Sequence, residues 1–148
     1  MSGIVGVVYP IPISLVDRIL KKKIFVKYLA RSSTKLKPKH KVLFYISHGS
    51  QQVIGEGTIE KVEFLTPDEA LLKYGDELLL NKEELTNYMV KQSGRTPTKK
   101  MLVLNLINIR KFAKEIKYPR PLTMTGEYLT KEEYLSLMKT ISKGDSNG

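Results

Sequence analysis

Three side chains in this sequence are suited to proton transfer: Lys27 within the run Ile24 to Leu29, His48 at the turn His48-Gly49-Ser50, and Glu56 between Gly55 and Gly57. A lysine desolvated among apolar neighbours loses basicity, and a histidine titrates near neutral pH. A glutamate flanked by glycines sits where backbone and ligand can approach closely. Each has a structural alternative: Lys27 on the solvent side of a sheet, His48 as a turn residue, Glu56 exposed on a bulged strand. Tyr45, Ser47 and His48 end a β-rich run, and positions 45 and 47 share a face. A tyrosine there can stack on a base while serine and histidine bond its edge; the alternative is Tyr45 packed in the core. Ser47 and His48 are adjacent, hence on opposite faces, and no third acid orients them, which argues against a Ser–His nucleophile. There is no Cys, and His40 and His48 are the only histidines. Disulfides and cysteine nucleophiles are therefore excluded, two histidines are too few for a typical zinc site unless carboxylates join them, and no cofactor is implied.

The charge is segregated. The chain of 148 residues carries a net +10, yet residues 17–41 alone hold ten basic side chains against Asp17. Residues 91–120 hold nine, among them Arg95, Lys99, Arg110 and Lys111, against Glu115, whereas 53–90 holds nine acids and three lysines. A basic face and an acidic face are expected. Arg18, Lys21, Lys22, Lys23, Lys27 and Arg31 form the densest stretch. Cations at a helix C-terminus complement its dipole, but that accounts for only one or two of them. The remainder fit a phosphate-tracking edge that releases counterions on binding.

Positioning these groups takes a folded domain, and 41% hydrophobic with 27% charged residues is ordinary for one. The longest apolar runs are broken by Pro10 and Pro12 or by Asn105 and Asn108, so none reaches a membrane span. We expect a soluble, cytoplasmic protein with no membrane partner; Lys and Glu richness without Cys suits a thermophile. Gly3 to Val8 reads as a strand stopped by Tyr9-Pro10-Ile11-Pro12, and Ser14 as the cap of a short helix ending near Lys22. Strands follow at Lys23 to Ala30, Val42 to His48 and Val53 to Leu65, the last with its alternation slipping at Glu60-Lys61 as a bulge requires. Thr66-Pro67-Asp68-Glu69 opens one helix, Asn81 with Glu84 a second, and Thr130 with Glu133 a final one. Met101 to Ile109 is a central strand, whose Asn105 and Asn108 must be hydrogen-bonded if buried. The expected class is α+β, a small, mainly antiparallel β-barrel with flanking short helices, spanning 1–141 as one domain before a flexible tail at 142–148.

The order of the pieces resembles an ASCH-type domain. A strand leads to a short helix ending Ile19-Leu20-Lys21-Lys22-Lys23 and a strand opening Ile24-Phe25-Val26-Lys27. Leu36-Lys37-Pro38 then precedes Val42-Leu43-Phe44-Tyr45-Ile46-Ser47, followed by Gly55-Glu56-Gly57-Thr58-Ile59 with Val62. Pro119-Arg120-Pro121 through Gly126-Glu127-Tyr128-Leu129-Thr130 closes the pattern, which covers the chain to about Met138. The ASCH group belongs with the PUA-like β-barrels. More narrowly, the sequence is similar to an archaeal family of uncharacterised PUA-like proteins, a domain of unknown function. The resemblance implies a cleft beside the first helix and second strand, with RNA or nucleotides as ligands and in some relatives a modified base in a pocket. Some small ASCH proteins hydrolyse an acylated cytidine with a Lys and a Thr around the start of the second strand, plus a Glu. Here Ile24 stands where that Lys should be and Lys27 where the Thr should be. The amidohydrolase activity does not carry over residue by residue.

Three functions remain, taken in order. The first is an RNA-binding PUA-like domain, its partner tRNA or other RNA with a modified or single-stranded base. It grips through Arg18, Lys21, Lys22, Lys23, Lys27 and Arg31, with Tyr45, Ser47 and His48 lining a base-sized pocket. The second is a small nucleoside or RNA hydrolase using Lys27, His48 and Glu56. The third is a protein-interaction adaptor that presents the acidic surface of 53–90. The sequence does not indicate an oligomeric state.

Overall fold

The computed structural model describes residues 3–29, 34–47, 51–90, 99–119 and 122–146. Six strands carry the fold: β1 (Ile4–Pro12), β2 (Ile24–Lys27), β3 (Lys41–Ser47), β4 (Gln52–Leu65), β5 (Met101–Lys117) and β6 (Glu127–Thr130). They form one sheet in the order β2-β5-β4-β3-β1-β6. The β1–β3 pair is parallel and the other pairings are antiparallel. The architecture is therefore a mixed sheet, and where a barrel is expected the structure shows a curled half-barrel. Its end strands β2 and β6 share no ladder among the described residues. The curl is measurable. Strands β2 and β1 lie four places apart, about 19 Å in a flat sheet at ~4.8 Å per strand, yet the rings of Tyr9 and Phe25 stack 5.5 Å apart.

Both faces of the sheet are covered, so the strands are apolar on both sides. Inside the curl, Tyr9, Phe25, Phe44, Ile54, Leu102 and Leu104 belong to one core. A second core, with Leu43, Tyr45, Phe112, Tyr118 and Leu137, lies on the outer face under α4 (Lys131–Ser146). A third gathers Ile24, Val26, Ala70, Leu85 and Met101 under α2 (Pro67–Tyr74) and α3 (Lys82–Val90). The fourth helix, α1 (Val16–Ile19), is one turn long behind a 3-10 turn at Ile13–Leu15 and has no side-chain cap, so Ser14 is not the cap its sequence position suggested.

Local chemistry explains most boundaries. Thr66 Oγ1 accepts from the Glu69 amide at 3.2 Å while Glu69 Oε1 accepts from the Thr66 amide at 2.8 Å, a complete capping box. Asn81 with Glu84, and Thr130 with Glu133, repeat that exchange. The β4–β5 register shifts between Ile59 and Lys61, where the sequence alternation slips. At Gly55 a Cβ would lie 2.4 Å from the Arg110 carbonyl oxygen, so only glycine lets β5 come this close. Helix α4 runs on to Ser146, past the boundary expected at 141. No helix among the described residues is long and apolar enough to cross a membrane.

Candidate nucleic-acid interface

At the end of β2 tyrosines and lysines gather around Tyr9, at what we call the mouth of the curl. Alternation puts Lys27 on the same side as Phe25, and its Nζ lies 5.4 Å from the centroid of Tyr9 while donating to the Met124 carbonyl at 2.6 Å. Tyr9 forms the floor, 2% exposed. Burial first, then the nearby Tyr128 and Tyr88 phenols, hold its hydroxyl far above the ordinary phenol pKa, so it stays a neutral hydrogen-bonding group. On one rim, the Tyr28 amide donates to the Tyr88 hydroxyl at 2.7 Å, and Lys99 Nζ sits 5.1 Å over the Tyr28 ring. On the other, Lys35 lies 5.8 Å over Tyr128, whose hydroxyl is 3.2 Å from Thr34 Oγ1. Tyr128 pairs across the ladder with Val7, an inner-core residue, which turns it inward. The turn before β6 packs onto the floor: Gly126 has φ +78, and a Cβ there would meet the Tyr9 ring at 2.6 Å.

Of the residues expected at the site, the structure brings one, Lys27, into this mouth. Lys21 and Lys23 are exposed at the start of β2, about 13 Å from its end at ~3.3 Å per residue. Arg18 turns the other way, donating to Glu84 Oε1 at 2.5 Å and to the Leu79 carbonyl at 3.1 Å. Lys22 donates to the Asp76 carbonyl beside it. Arg31 and His48 lie outside the described residues, and for Ser47 only the backbone, paired with Pro12, is described. For Tyr45 the packed alternative holds. It is 5% exposed and packs edge-on against Tyr118 at 5.9 Å in the outer core, so its ring is not presented for stacking.

Glu56 also differs from the exposed residue its sequence setting suggested. It is 3% exposed, the one buried charged residue among those described. Arg110 Nε and Nη2 donate to its Oε2 at 2.9 and 2.8 Å, and the Tyr134 hydroxyl to Oε1 at 2.7 Å. Glu56 sits opposite Leu43, an outer-core residue, and therefore faces α4. Lys27 faces inward. The two candidate acid/base groups are on opposite sides of the sheet and do not form one catalytic site. The second basic stretch is divided likewise, with Lys99 at the mouth and Arg110 on the outer face. Asn105 donates to the Tyr74 hydroxyl at 2.9 Å, and Asn108 is exposed with φ +52, a left-handed position asparagine tolerates. No group of three or more potential metal ligands exists among the described residues.

The turn leading into β3 carries a titratable lock. The Lys37 amide donates to His40 Nδ1 at 3.0 Å, a bond available only while that nitrogen is unprotonated. Partial burial, then Lys37, lowers the His40 pKa from 6.5. A lowered folded pKa means that the unfolded turn takes up the proton first. The bond's stabilisation is thus full above pH 6.5 and is lost as pH falls through the folded value. Hydrogen exchange corrected for intrinsic rates should show the Lys37 amide losing protection on going from pH 7 to pH 5, and an unchanged protection factor would count against this lock.

The sequence and the fold both have relatives. A family model described as a domain of unknown function (DUF365) matches residues 4–131. An uncharacterized protein of Methanocaldococcus jannaschii is 35% identical over 107 residues, covering 68% of this chain and 99% of that one. The crystal structure of ASCH from Zymomonas mobilis matches with a TM-score of 0.73 at 17% identity, over 91% of this chain and 94% of that chain. A single-site variant of the same protein matches with a TM-score of 0.73 at 16% identity, over 95% and 99%. The likeness is one of fold, and it agrees with the ASCH-type, PUA-like arrangement expected from the order of the sequence motifs.

Proposed function

The chain belongs to the DUF365 family with an ASCH-type, PUA-like fold, and from that premise we propose that it is an RNA-binding domain that takes a single-stranded or modified base at the tyrosine-lined mouth. One observation carries the reading. Lys27, Lys35 and Lys99 each lie 5.1–5.8 Å over a tyrosine ring, and the tyrosines are linked: Tyr9 feels the Tyr128 and Tyr88 phenols, and Tyr88 accepts from the Tyr28 amide. Ammonium groups neutralise phosphates, and tyrosine faces stack on bases of any sequence, so the combination suits a strand whose bases are splayed out. The half-exposed ring of Tyr128 is the stacking platform in this reading. Tyr9 beneath it is the closed, buried floor on which the cluster rests.

The test is fluorescence anisotropy with tRNA, single-stranded RNA and duplex DNA across a salt series. We expect a preference for one RNA class that persists at physiological salt. Tyr128→Ala should weaken binding to that RNA about tenfold, the loss of one stacked base at ~1–3 kcal/mol. Equal, weak binding to all three that disappears with salt would mean generic charge and would overturn the proposal.

A further inference from the structure

Arg18 and Lys22, turned away from the mouth, line a separate cavity of about 330 Å³ between α1 and the segment joining α2 to α3. Its walls include Leu71, Leu78 and Leu79, and a third cation, Lys82, joins the rim. Arg18 is held in a fixed orientation. Its Nη1 makes both contacts already given, to Glu84 and to Leu79, and Glu84 is itself anchored by the Asn81 amide at 2.9 Å. The Nε and Nη2 donors of Arg18 have no hydrogen-bond partner among the described residues, and neither does the Lys82 ammonium. One carboxylate, Asp76, lines the cavity, while that of Glu84 is paired with Arg18.

We propose that this cavity binds a phosphate ester carried on a small hydroxylated body. A preset guanidinium fork with two ammonium groups suits a phosphate, whose charge and several acceptor oxygens engage both kinds of donor. The leucine wall takes carbon skeleton, and the Asp76 carboxylate accepts from a hydroxyl. The volume is at the small end for ligand pockets, about 300–1,000 Å³, and holds a sugar phosphate or one nucleotide unit. The ester belongs either to a free phosphorylated metabolite or to one unit of a bound nucleic acid. The site stands apart from the mouth, so the RNA reading and this one can fail separately.

The experiment is an NMR titration of the full chain with ribose 5-phosphate, and with ribose as the unphosphorylated control. Saturable shifts at the Arg18, Lys22 and Lys82 amides are expected with the phosphate ester alone. Lys82→Gln, at an exposed position, should raise the dissociation constant about fivefold, a charged hydrogen bond discounted for solvent. Arg18→Lys keeps the charge but loses the fork and should weaken binding similarly, with the melting temperature read alongside because the Glu84 contact changes. Tyr128→Ala should leave this affinity unchanged. A second titration on the complex with a short single-stranded RNA separates the sources. Shifts that persist identify a free ester as ligand, and shifts blocked by RNA identify its backbone. No saturable shift at these residues, an equal response to ribose, or unchanged affinity in both cation variants would overturn the proposal.

Discussion

Replacing Lys27, Lys35 and Lys99 together with glutamine should lower affinity for single-stranded RNA about 100-fold at 0.1 M salt and flatten the slope of log affinity against log salt by about 2, at ~0.7 per phosphate contact. The expectation follows from the mouth. Each ammonium group stands at its rim over a tyrosine ring, where a backbone threading past stacked bases would place its phosphates. Removing the charge removes both the Coulomb attraction and the release of counterions that accompanies it. Glutamine keeps most of the side-chain length, so the packing of the aliphatic stems changes little. Lys27 also donates to the Met124 carbonyl, and a glutamine amide can still reach for that oxygen. The control is the pair Lys21→Gln and Lys23→Gln, which removes two exposed charges outside the mouth. If binding is localised, the pair should cost much less than two thirds of the triple's effect. Equal losses per charge, or an unchanged salt slope in the triple variant, would show that the lysines act as a diffuse field rather than as a site.

The sequence made some parts of this molecule legible because their causes are local. The capping boxes at Thr66, Asn81 and Thr130 involve residues three apart, and the slip at Glu60-Lys61 marks a bulge within one strand. The mouth is different in kind. Tyr28 meets Tyr88, Lys27 meets Met124, and Thr34 meets Tyr128 across separations of 60 to 97 residues, and no spacing rule connects them. Only Lys27 among these was singled out by its setting, a lysine within an apolar run. The face of a strand was equally hard to assign. In β5, Leu102 and Leu104 enter the inner core while Met101 and Val103 enter an outer one, so both sides are apolar and the alternation that would mark a solvent face is missing. For that reason the two readings of Tyr45, lining a pocket or packed in the core, stay open in the sequence, and the structure gives the packed one under α4. The half-barrel follows from the same limit, because strand runs reveal neighbours in sequence and do not show whether the two end strands meet.

Glu56→Ala should destabilise the fold by about 2–3 kcal/mol, toward the low side of the cost of breaking a buried ion pair because one partner can rehydrate. That partner is Arg110, whose side chain is 57% exposed against 4% for Glu56. The loss has two parts. The Tyr134 hydroxyl loses its acceptor, and the space left by the carboxylate lies beneath α4 in a packed region. Burial, then the Glu56 carboxylate, holds the Tyr134 phenol well above its usual pKa, so it is a committed donor at any working pH and cannot adapt by ionising. Glu56→Gln keeps an oxygen for Tyr134 and the shape of the site, and should cost about 1 kcal/mol for the lost charge assistance. Urea denaturation of both variants measures the ordering. RNA affinity, measured where each variant is folded, should be unchanged, because Glu56 faces α4 across the sheet from Lys27. A Glu56→Gln protein as stable as the parent, but stripped of a hydrolytic activity on acylated nucleosides, would reverse the assignment. The carboxylate would then be a catalytic group that the Arg110 pair merely holds, rather than the fastening of α4 to the sheet that its burial and its two partners indicate.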